Sequence, residues 1–528
     1  MPAPTAKQPT AYHQFTGRDV PWLVDTQAAA RGDRPYLIWE SFVAPRQVWT
    51  YAQFAEETRA YAVGLSALGV HAGEFVLLHM ENCPEFLLIW HACARIGAVV
   101  VTTNTHSTAD ELAYFVGQCG ASVALTNPKF LALMQEIPHS FRWIASTEAD
   151  PGQEPGEPLG DGIIRFAQLR GDPSKAPAGR REPFAINSVQ YTSGTTSRPK
   201  GVAWTQANAL WAARTMASHL QLKETDCGMV HFPLFHTNAL AYSMLSTLWA
   251  GASTVLTPRF SASRFWDISV RNRCTWASMS PFPLRALMPQ TDPPEHFYRV
   301  WAFAGDLALV RDRWGIRTTG WYGMTETVAA CIVTEQGFLG PEGAMGRSAS
   351  EYEIAIRRDD GKAAAFGETG RLYIRGIPGI SLFHEYLNDP KATTAAFDAD
   401  GWFDTGDEIA AREDGSLFFI GRAKDMLKVG GENVAALEIE AVVAGVNGVV
   451  ECAVVGKPDR MYDEVPVAFV VATTPGPELR KTILLTCEEK LSAFKRPREV
   501  RFLDALPTGL LGKILKRDLR EMAREDTR

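Results

Sequence analysis

The densest chemistry in this 528-residue chain lies in Tyr191-Thr192-Ser193-Gly194-Thr195-Thr196-Ser197-Arg198-Pro199-Lys200-Gly201. Five hydroxyl side chains fall within six positions, and Pro-Lys-Gly closes the run. Backbone N–H groups and hydroxyls of a flexible loop wrap phosphate oxygens, and a lysine adds positive charge. An ordinary polar loop before a helix rarely gathers so many hydroxyls. The segment is not a Walker A loop, because G-x-x-x-x-G-K-[ST] needs a second glycine and none stands between Gly194 and Lys200.

Other segments hold suitable residue types but read more blandly by themselves. Gly320-Trp321-Tyr322-Gly323-Met324-Thr325-Glu326-Thr327 is a strand end followed by a helix cap. Trp402-Phe403-Asp404-Thr405-Gly406-Asp407 is a turn signal. Gly421-Arg422-Ala423-Lys424-Asp425-Met426-Leu427-Lys428-Val429-Gly430-Gly431-Glu432-Asn433 is a basic loop with a Gly-Gly turn, and Pro507 to Arg517 a basic tail.

The elements that must position these residues follow from periodicity. Residues 52–69 have helical apolar spacing ending at a glycine, and FVLLHM at 75–80 is a buried strand. A helix over 84–96, a strand over 98–102, a helix over 109–118 capped by Thr108 with Glu111, and a strand over 121–126 follow. Strands alternating with helices predict a parallel sheet covered on both faces. Residues 148–184 are rich in Pro, Gly and charge, an exposed excursion around one short element near 163–169. Strands near 228–232, 252–256 and 275–280 resume the rhythm, and EYEIAIR with GRLYIRG, from 351 onward, starts a β-rich section. A boundary falls near 421–433. Beyond it come a helix (435–445), strands (449–455, 465–472), a helix (478–493) and a strand (498–503). The expected fold class is α/β: a large N-terminal domain over 1–423 with parallel α/β sheets and a β-rich section, and a small mobile C-terminal α+β domain over 424–528.

Composition excludes several classes. The chain is 46 % hydrophobic and 21 % charged, which is globular rather than disordered, collagen-like or coiled-coil. Its net charge of −7 offers no basis for nucleic-acid binding. Eight scattered cysteines form no CxxC pair and no zinc-type cluster, which fits a reducing compartment. The N-terminus lacks the apolar core of a signal peptide. FLLIWHACA is broken well short of the ~20 residues of a membrane span. A cytoplasmic protein is expected.

Taken together, the segments resemble the motifs of the adenylate-forming enzymes: acyl-CoA synthetases, adenylation domains and luciferases. The resemblance runs from about residue 50 to 517 with the motifs in order. TSGTTSRPKG, YGMTET and KVGGENV are most similar to the branch of carnitine/crotonobetaine–CoA ligases and related acyl-CoA ligases. Ser197 stands where glycine is usual.

The resemblance implies roles residue by residue. Thr192, Ser193, Gly194, Thr195, Thr196 and Lys200 form the phosphate loop. Tyr322 stacks on adenine, with Gly305 and Asp306 on the opposite wall, where Ala304-Gly305-Asp306-Leu307 replaces a common Gly-Gly-Ala-Pro-like form. Thr325 meets the α-phosphate and Glu326 binds Mg²⁺, which suits a hard cation's preference for carboxylate oxygen. Asp407 takes the ribose hydroxyls with Arg422, and Asp404 is a turn residue. Lys424 marks the hinge, and Gly430 and Gly431 let the small domain's backbone approach the active site. Lys513 bridges the acid's carboxylate and ATP, offsetting the repulsion of two anions. In Phe232-Pro233-Leu234-Phe235-His236-Thr237-Asn238-Ala239, His236 flanks the carboxylate or is a core histidine, the two readings standing even. No aspartate between 232 and 245 holds an amine, which argues against an α-amino acid. Trp301, Phe303, Trp321 and Met324 suggest an apolar pocket for a bulky or ring-bearing acid. The implied activity is an ATP-dependent acyl-CoA ligase that makes acyl-AMP and passes the acyl group to CoA. The alternative is a stand-alone adenylating enzyme that loads a carrier-protein phosphopantetheine in trans or releases acyl-AMP. ATP, Mg²⁺ and CoA are the expected cofactors.

Overall fold

The computed structural model describes residues 13–156, 159–192, 199–293, 295–303, 305, 307–335, 340–422, 425–429, 432–459, 461–508 and 514–525. The chain forms two compact units, the second built from 354–374 and the chain from 403 onward.

The first unit carries two α/β sheets. One runs in the order Glu385–Tyr386, Gly201–Thr205, Ile186–Tyr191, Val99–Thr102, Phe75–His79, Val123–Thr126, Ile144–Ser146, Ile163–Arg165. Its six strands from Ile186–Tyr191 onward are parallel, while Gly201–Thr205 and Glu385–Tyr386 add antiparallel edges. The expected periodicities hold here. Val99–Thr102 and Val123–Thr126 are buried throughout, as strands covered on both faces require. Thr108 and Glu111 form the expected capping box on the helix Ala109–Cys119. The helix Pro84–Ile96 is buried almost all round, which explains its FLLIWHACA composition, and Gly97 closes it at φ 80°. Among the described residues no helix is long and apolar enough to cross a membrane.

The second sheet runs Arg347–Ser348, Ile332–Val333, Arg317–Tyr322, Val300–Phe303, Trp276–Ser278, Cys227–Val230, Ser253–Leu256, Pro35–Trp39, Gln47–Thr50. Its inner strands are parallel, and Ile332–Val333 folds back antiparallel on the end of Arg317–Tyr322.

In the second unit Glu353–Arg357 and Thr369–Arg375 are the two strands expected after 351, in one sheet with Phe403–Ala411 and Leu417–Arg422. The C-terminal part has a sheet with helices on both faces. Ala436–Ala444 and Pro477–Lys490 pack Ile439, Val443, Ile483 and Cys487 against Val454, Ala468 and Val470. The opposite face, Ala453, Val455, Val467 and Phe469, is covered by Leu519 and Ala523 of a helix over Lys516–Glu525. Two local readings change. The flanks of the basic Gly-Gly segment are strands, Met426–Val429 paired antiparallel with Glu432–Ala435. The end of the basic tail is that last helix, whose buried Leu519 is worth about 1.5–3 kcal/mol on its apolar stripe.

Candidate active site

Within the first unit, the phosphate-type loop grows from an antiparallel strand pair. Tyr191 sits opposite Gly201, and Thr192 N–H donates to the Lys200 carbonyl at 3.0 Å. Tyr191 stacks on Phe115 with centroids 4.2 Å apart and donates to the Phe115 carbonyl at 3.3 Å. Ser193, Gly194, Thr195 and Thr196 lie outside the described residues, so only the loop's two posts, Thr192 and Lys200, are placed.

Tyr322 ends its strand, and Cys331 N–H donates to its carbonyl at 2.9 Å. A 3₁₀ turn over Thr325–Thr327 follows. The turn is held from several sides. Trp204 Nε1 donates to the Thr325 carbonyl at 2.9 Å, and Thr237 Oγ1 donates to Gln190 Oε1 at 2.9 Å and lies 3.2 Å from Thr325 Oγ1. Tyr352 donates to the Thr327 carbonyl at 2.7 Å. Val328 then adopts φ 66° and ψ −49°, and Ala329 N–H donates back to Thr327 at 2.6 Å. That is a γ-turn of the rare hand, at a β-branched residue that avoids positive φ. Strain of this kind persists where surrounding contacts over-determine it, and it clusters at functional sites.

Glu326, in that turn, is only 4 % exposed. Its Oε1 accepts from the Tyr386 hydroxyl at 3.0 Å, and its carbonyl accepts from Phe383 N–H at 2.8 Å. Lys200 Nζ sits 4.3 Å over the Tyr386 ring. Lys200 and Glu326, both singled out in the sequence, are therefore brought to one residue that was not. Gly305, at φ 150°, lies so close to the Ala344 carbonyl that a Cβ would come within 2.9 Å of it. Asp306 lies outside the described residues.

His236 begins the turn into a π-helix over Asn238–Leu245, a form frequent at functional sites. Burial holds the imidazole down to about 4, so it is neutral at pH 7. Among the described residues no hydrogen-bond partner meets its Nε2.

The apolar-pocket expectation needs correction. Trp301 and Phe303 alternate with Val300 and Ala302 along one strand. They face a core with Phe265, Trp266, Tyr298 and Trp314. Trp301 stacks on Trp266 with centroids 5.8 Å apart. Trp321 packs on the other face, with Val300 and Ala302. Residues on opposite faces of a sheet cannot line one pocket. Trp321 meets Tyr242 of the π-helix edge-on at 5.4 Å.

Within the second unit, Asp407 and Arg422 are register partners on neighbouring strands. Arg422 Nε lies 3.0 Å from Asp407 Oδ1, and Asp407 is 3 % exposed. Asp404, expected as a turn residue, lies in the strand Phe403–Ala411 opposite Tyr373, its Oδ1 accepting from Gly406 N–H at 2.9 Å and from Arg371 Nε at 2.7 Å. Lys424, Gly430, Gly431 and Lys513 lie outside the described residues. Among the described residues nearby, Thr508 bridges Ile514, and Leu515 N–H donates to the Pro507 carbonyl at 2.8 Å.

Sequence reasoning missed Tyr386, Gln190 and Trp204 as supports of the site, and gave Thr237 no role within the segment 232–239. None carries a local signal, since each acts on a partner 47 to 121 residues away.

The donor set can be tested against a metal. Among the described residues no three His, Cys, Asp or Glu gather to hold an ion. A single buried carboxylate, that of Glu326, fits Mg²⁺, which binds through one or two carboxylates plus substrate phosphates.

The AMP-binding enzyme family model matches residues 24–387, and the AMP-binding enzyme C-terminal domain model matches 438–513. A crotonobetaine/carnitine–CoA ligase of Salmonella choleraesuis (strain SC-B67) is 33 % identical over 518 residues, covering 96 % of this chain and 99 % of that one. An anthranilate CoA ligase solved with anthranoyl-AMP superposes with a TM-score of 0.86 at 26 % identity, covering 96 % and 97 %. An O-succinylbenzoate coenzyme A synthetase from Bacillus subtilis, solved with AMP, gives 0.80 at 26 %, covering 94 % and 98 %.

Proposed function

The chain belongs to the AMP-binding enzyme family, and on that premise we propose how its residues carry out acid–thiol ligation. It is an ATP-dependent acyl-CoA ligase. The acid's carboxylate oxygen attacks the α-phosphorus of ATP, the α–β phosphoanhydride breaks, and acyl-AMP and pyrophosphate result. The thiol sulfur of CoA then attacks the acyl carbon, the thiol proton is lost, and AMP leaves with the bridging oxygen. Adenylation replaces a poor leaving group with a good one, and no covalent enzyme intermediate is needed.

The observation that carries this reading is the meeting of Lys200 and Glu326 at Tyr386. A cation for phosphate oxygens and a buried carboxylate are held by one side chain. Thr192, Ser193, Gly194, Thr195, Thr196 and Lys200 hold the β- and γ-phosphates, and Thr325 the α-phosphate. Glu326 would hold Mg²⁺, which when bound neutralises phosphate charge. Tyr322 and Gly305 with Asp306 flank the adenine. Asp407, oriented by Arg422, accepts from the ribose hydroxyls. His236, neutral at pH 7, donates to the acid's carboxylate through Nε2. Lys513 neutralises the approach of carboxylate to triphosphate. The functional division falls at 423/424, with Lys424 as hinge and Gly430-Gly431 brought in for the thiol step.

The acid is apolar or ring-bearing, a reading supported by the likeness to an anthranilate CoA ligase. ATP–pyrophosphate exchange with a panel of aromatic and aliphatic acids tests it, followed by thioester formation with free CoA. Exchange with no acid would sink the ligase reading. Exchange without thioester would move the acceptor to a carrier protein.

A further inference from the structure

Tyr386 belongs to none of the sequence motifs, yet it sits where the two charged halves of the phosphate site meet. Its hydroxyl donates to Glu326 Oε1 at 3.0 Å, and Lys200 Nζ rests 4.3 Å over its ring. The residue is 5 % exposed, so bulk water is not at hand to replace the hydroxyl. Its backbone is fixed as well. Tyr386 pairs with Val202 in the strand that starts just after Lys200, and its N–H donates to Thr393 Oγ1 at 3.0 Å. Three residues earlier, Phe383 N–H holds the Glu326 carbonyl at 2.8 Å. The segment 383–386 thus grips both the strand carrying the lysine and the turn carrying the glutamate.

We infer that Tyr386 is the positioning residue that sets the phosphate-binding lysine and the metal-binding carboxylate in place before nucleotide arrives. The inference rests on the roles proposed above for Lys200 and Glu326. An aromatic face attracts a cation, and the cation draws electron density from the ring, which makes the phenol a better donor to the carboxylate. One ring therefore seats a cation on its face and a carboxylate at its hydroxyl edge. Charges placed in advance need no reorganisation during reaction, which is the source of their catalytic value.

The two contacts separate chemically. Tyr386→Phe keeps the ring under Lys200 and deletes the donor to Glu326, and Tyr386→Leu deletes both. The measurement is calorimetric titration of the full chain with ATP, in EDTA and again in saturating Mg²⁺, with no acid present and so no turnover. In the wild type Mg²⁺ is expected to tighten ATP binding. Tyr386→Phe is expected to lose about tenfold or more of that tightening, the size of a hydrogen bond to a charged group, with ATP–EDTA affinity within about twofold of wild type. Tyr386→Leu is expected to lose the tightening and also to weaken ATP–EDTA binding about threefold or more, because the lysine loses its seat. Full Mg²⁺ tightening in Tyr386→Phe overturns the inference. So does a lowered melting temperature with equal losses in every readout, which would make Tyr386 merely structural. A wild type that exchanges pyrophosphate while Tyr386→Phe matches it sinks the inference alone. A wild type that neither binds ATP nor exchanges sinks the ligase reading with it.

Discussion

Gly323 shows how tightly single positions are set. A Cβ there would stand 2.4 Å from the Tyr242 hydroxyl, 2.9 Å from the Ala329 carbonyl and 3.1 Å from Ala330 Cα. Two of those neighbours are backbone immediately after the γ-turn at Val328, so they cannot swing away. Gly323→Ala is expected to cost about 1–3 kcal/mol of stability as an overpacked site. It should lower pyrophosphate exchange about tenfold or more by displacing the turn that holds Thr325 and Glu326. Thermal melts beside exchange assays check it, and wild-type values in both would show that the turn has slack. Asp407 gives a second residue-scale test. Its carboxylate lies against Arg422 within one pair of strands, and its proposed contacts are to ribose. Asp407→Ala should raise KM for ATP about tenfold or more and leave KM for the acid nearly unchanged, as loss of a charged hydrogen-bond acceptor predicts. Equal rises in both would remove the ribose assignment.

At the scale of elements, the C-terminal segment is the informative case. Residues 507–517 look like a charged tail, yet the helix Lys516–Glu525 packs Leu519 and Ala523 into a core, and Lys516 Nζ lies 2.7 Å from Glu440. Lys513 itself lies outside the described residues, and among the described ones Thr508 bridges Ile514. Lys513→Ala should cut pyrophosphate exchange about a hundredfold or more, the cost of a lost contact to developing charge, ~3 kcal/mol. Thioester formation from supplied acyl-AMP should stay within about threefold, because that step attacks a neutral carbonyl and triphosphate is gone. Exchange at the wild-type rate would return Lys513 to the surface. The strands Met426–Val429 and Glu432–Ala435 were legible only as a basic loop. Their short runs and flanking glycines carry no strong period, and pairing decided them.

For the molecule as a whole, buried histidines contribute a pH dependence of stability. Burial holds His79 and His236 down to about 4 and His91 and His231 down to about 3. In the unfolded chain histidine titrates near 6.5. Below that value the unfolded state binds protons that the folded state refuses. The stability is therefore fully present above about pH 6.5 and is lost as pH falls towards 4, by about 1.4 kcal/mol per pH unit for each histidine. Urea midpoints at pH 7, 6 and 5 should fall steadily. His231, packed among Phe232, Phe260 and Phe265, is the cleanest test, since no partner meets either ring nitrogen among the described residues. His231→Leu should flatten the slope by roughly one proton. A midpoint unchanged between pH 7 and 5 would show that these imidazoles take protons without unfolding.

Read from the residues alone, the α/β rhythm and the Thr108–Glu111 cap were both legible. These rest on hydrogen bonds and periods that close within a few residues. Strands of period two, helices of period 3.6 and caps three residues long carry their own signal. The partners of those residues were not legible. Trp301 looked like a pocket wall until the sheet turned it into a core of aromatic rings, away from Trp321. Tyr386 had no motif at all, yet it reaches Glu326 across 60 positions and holds Lys200 on its ring. Which face a strand side chain occupies, and which distant group it meets, depends on register and on the neighbouring strand. Those are set by burying surfaces that lie far apart along the chain.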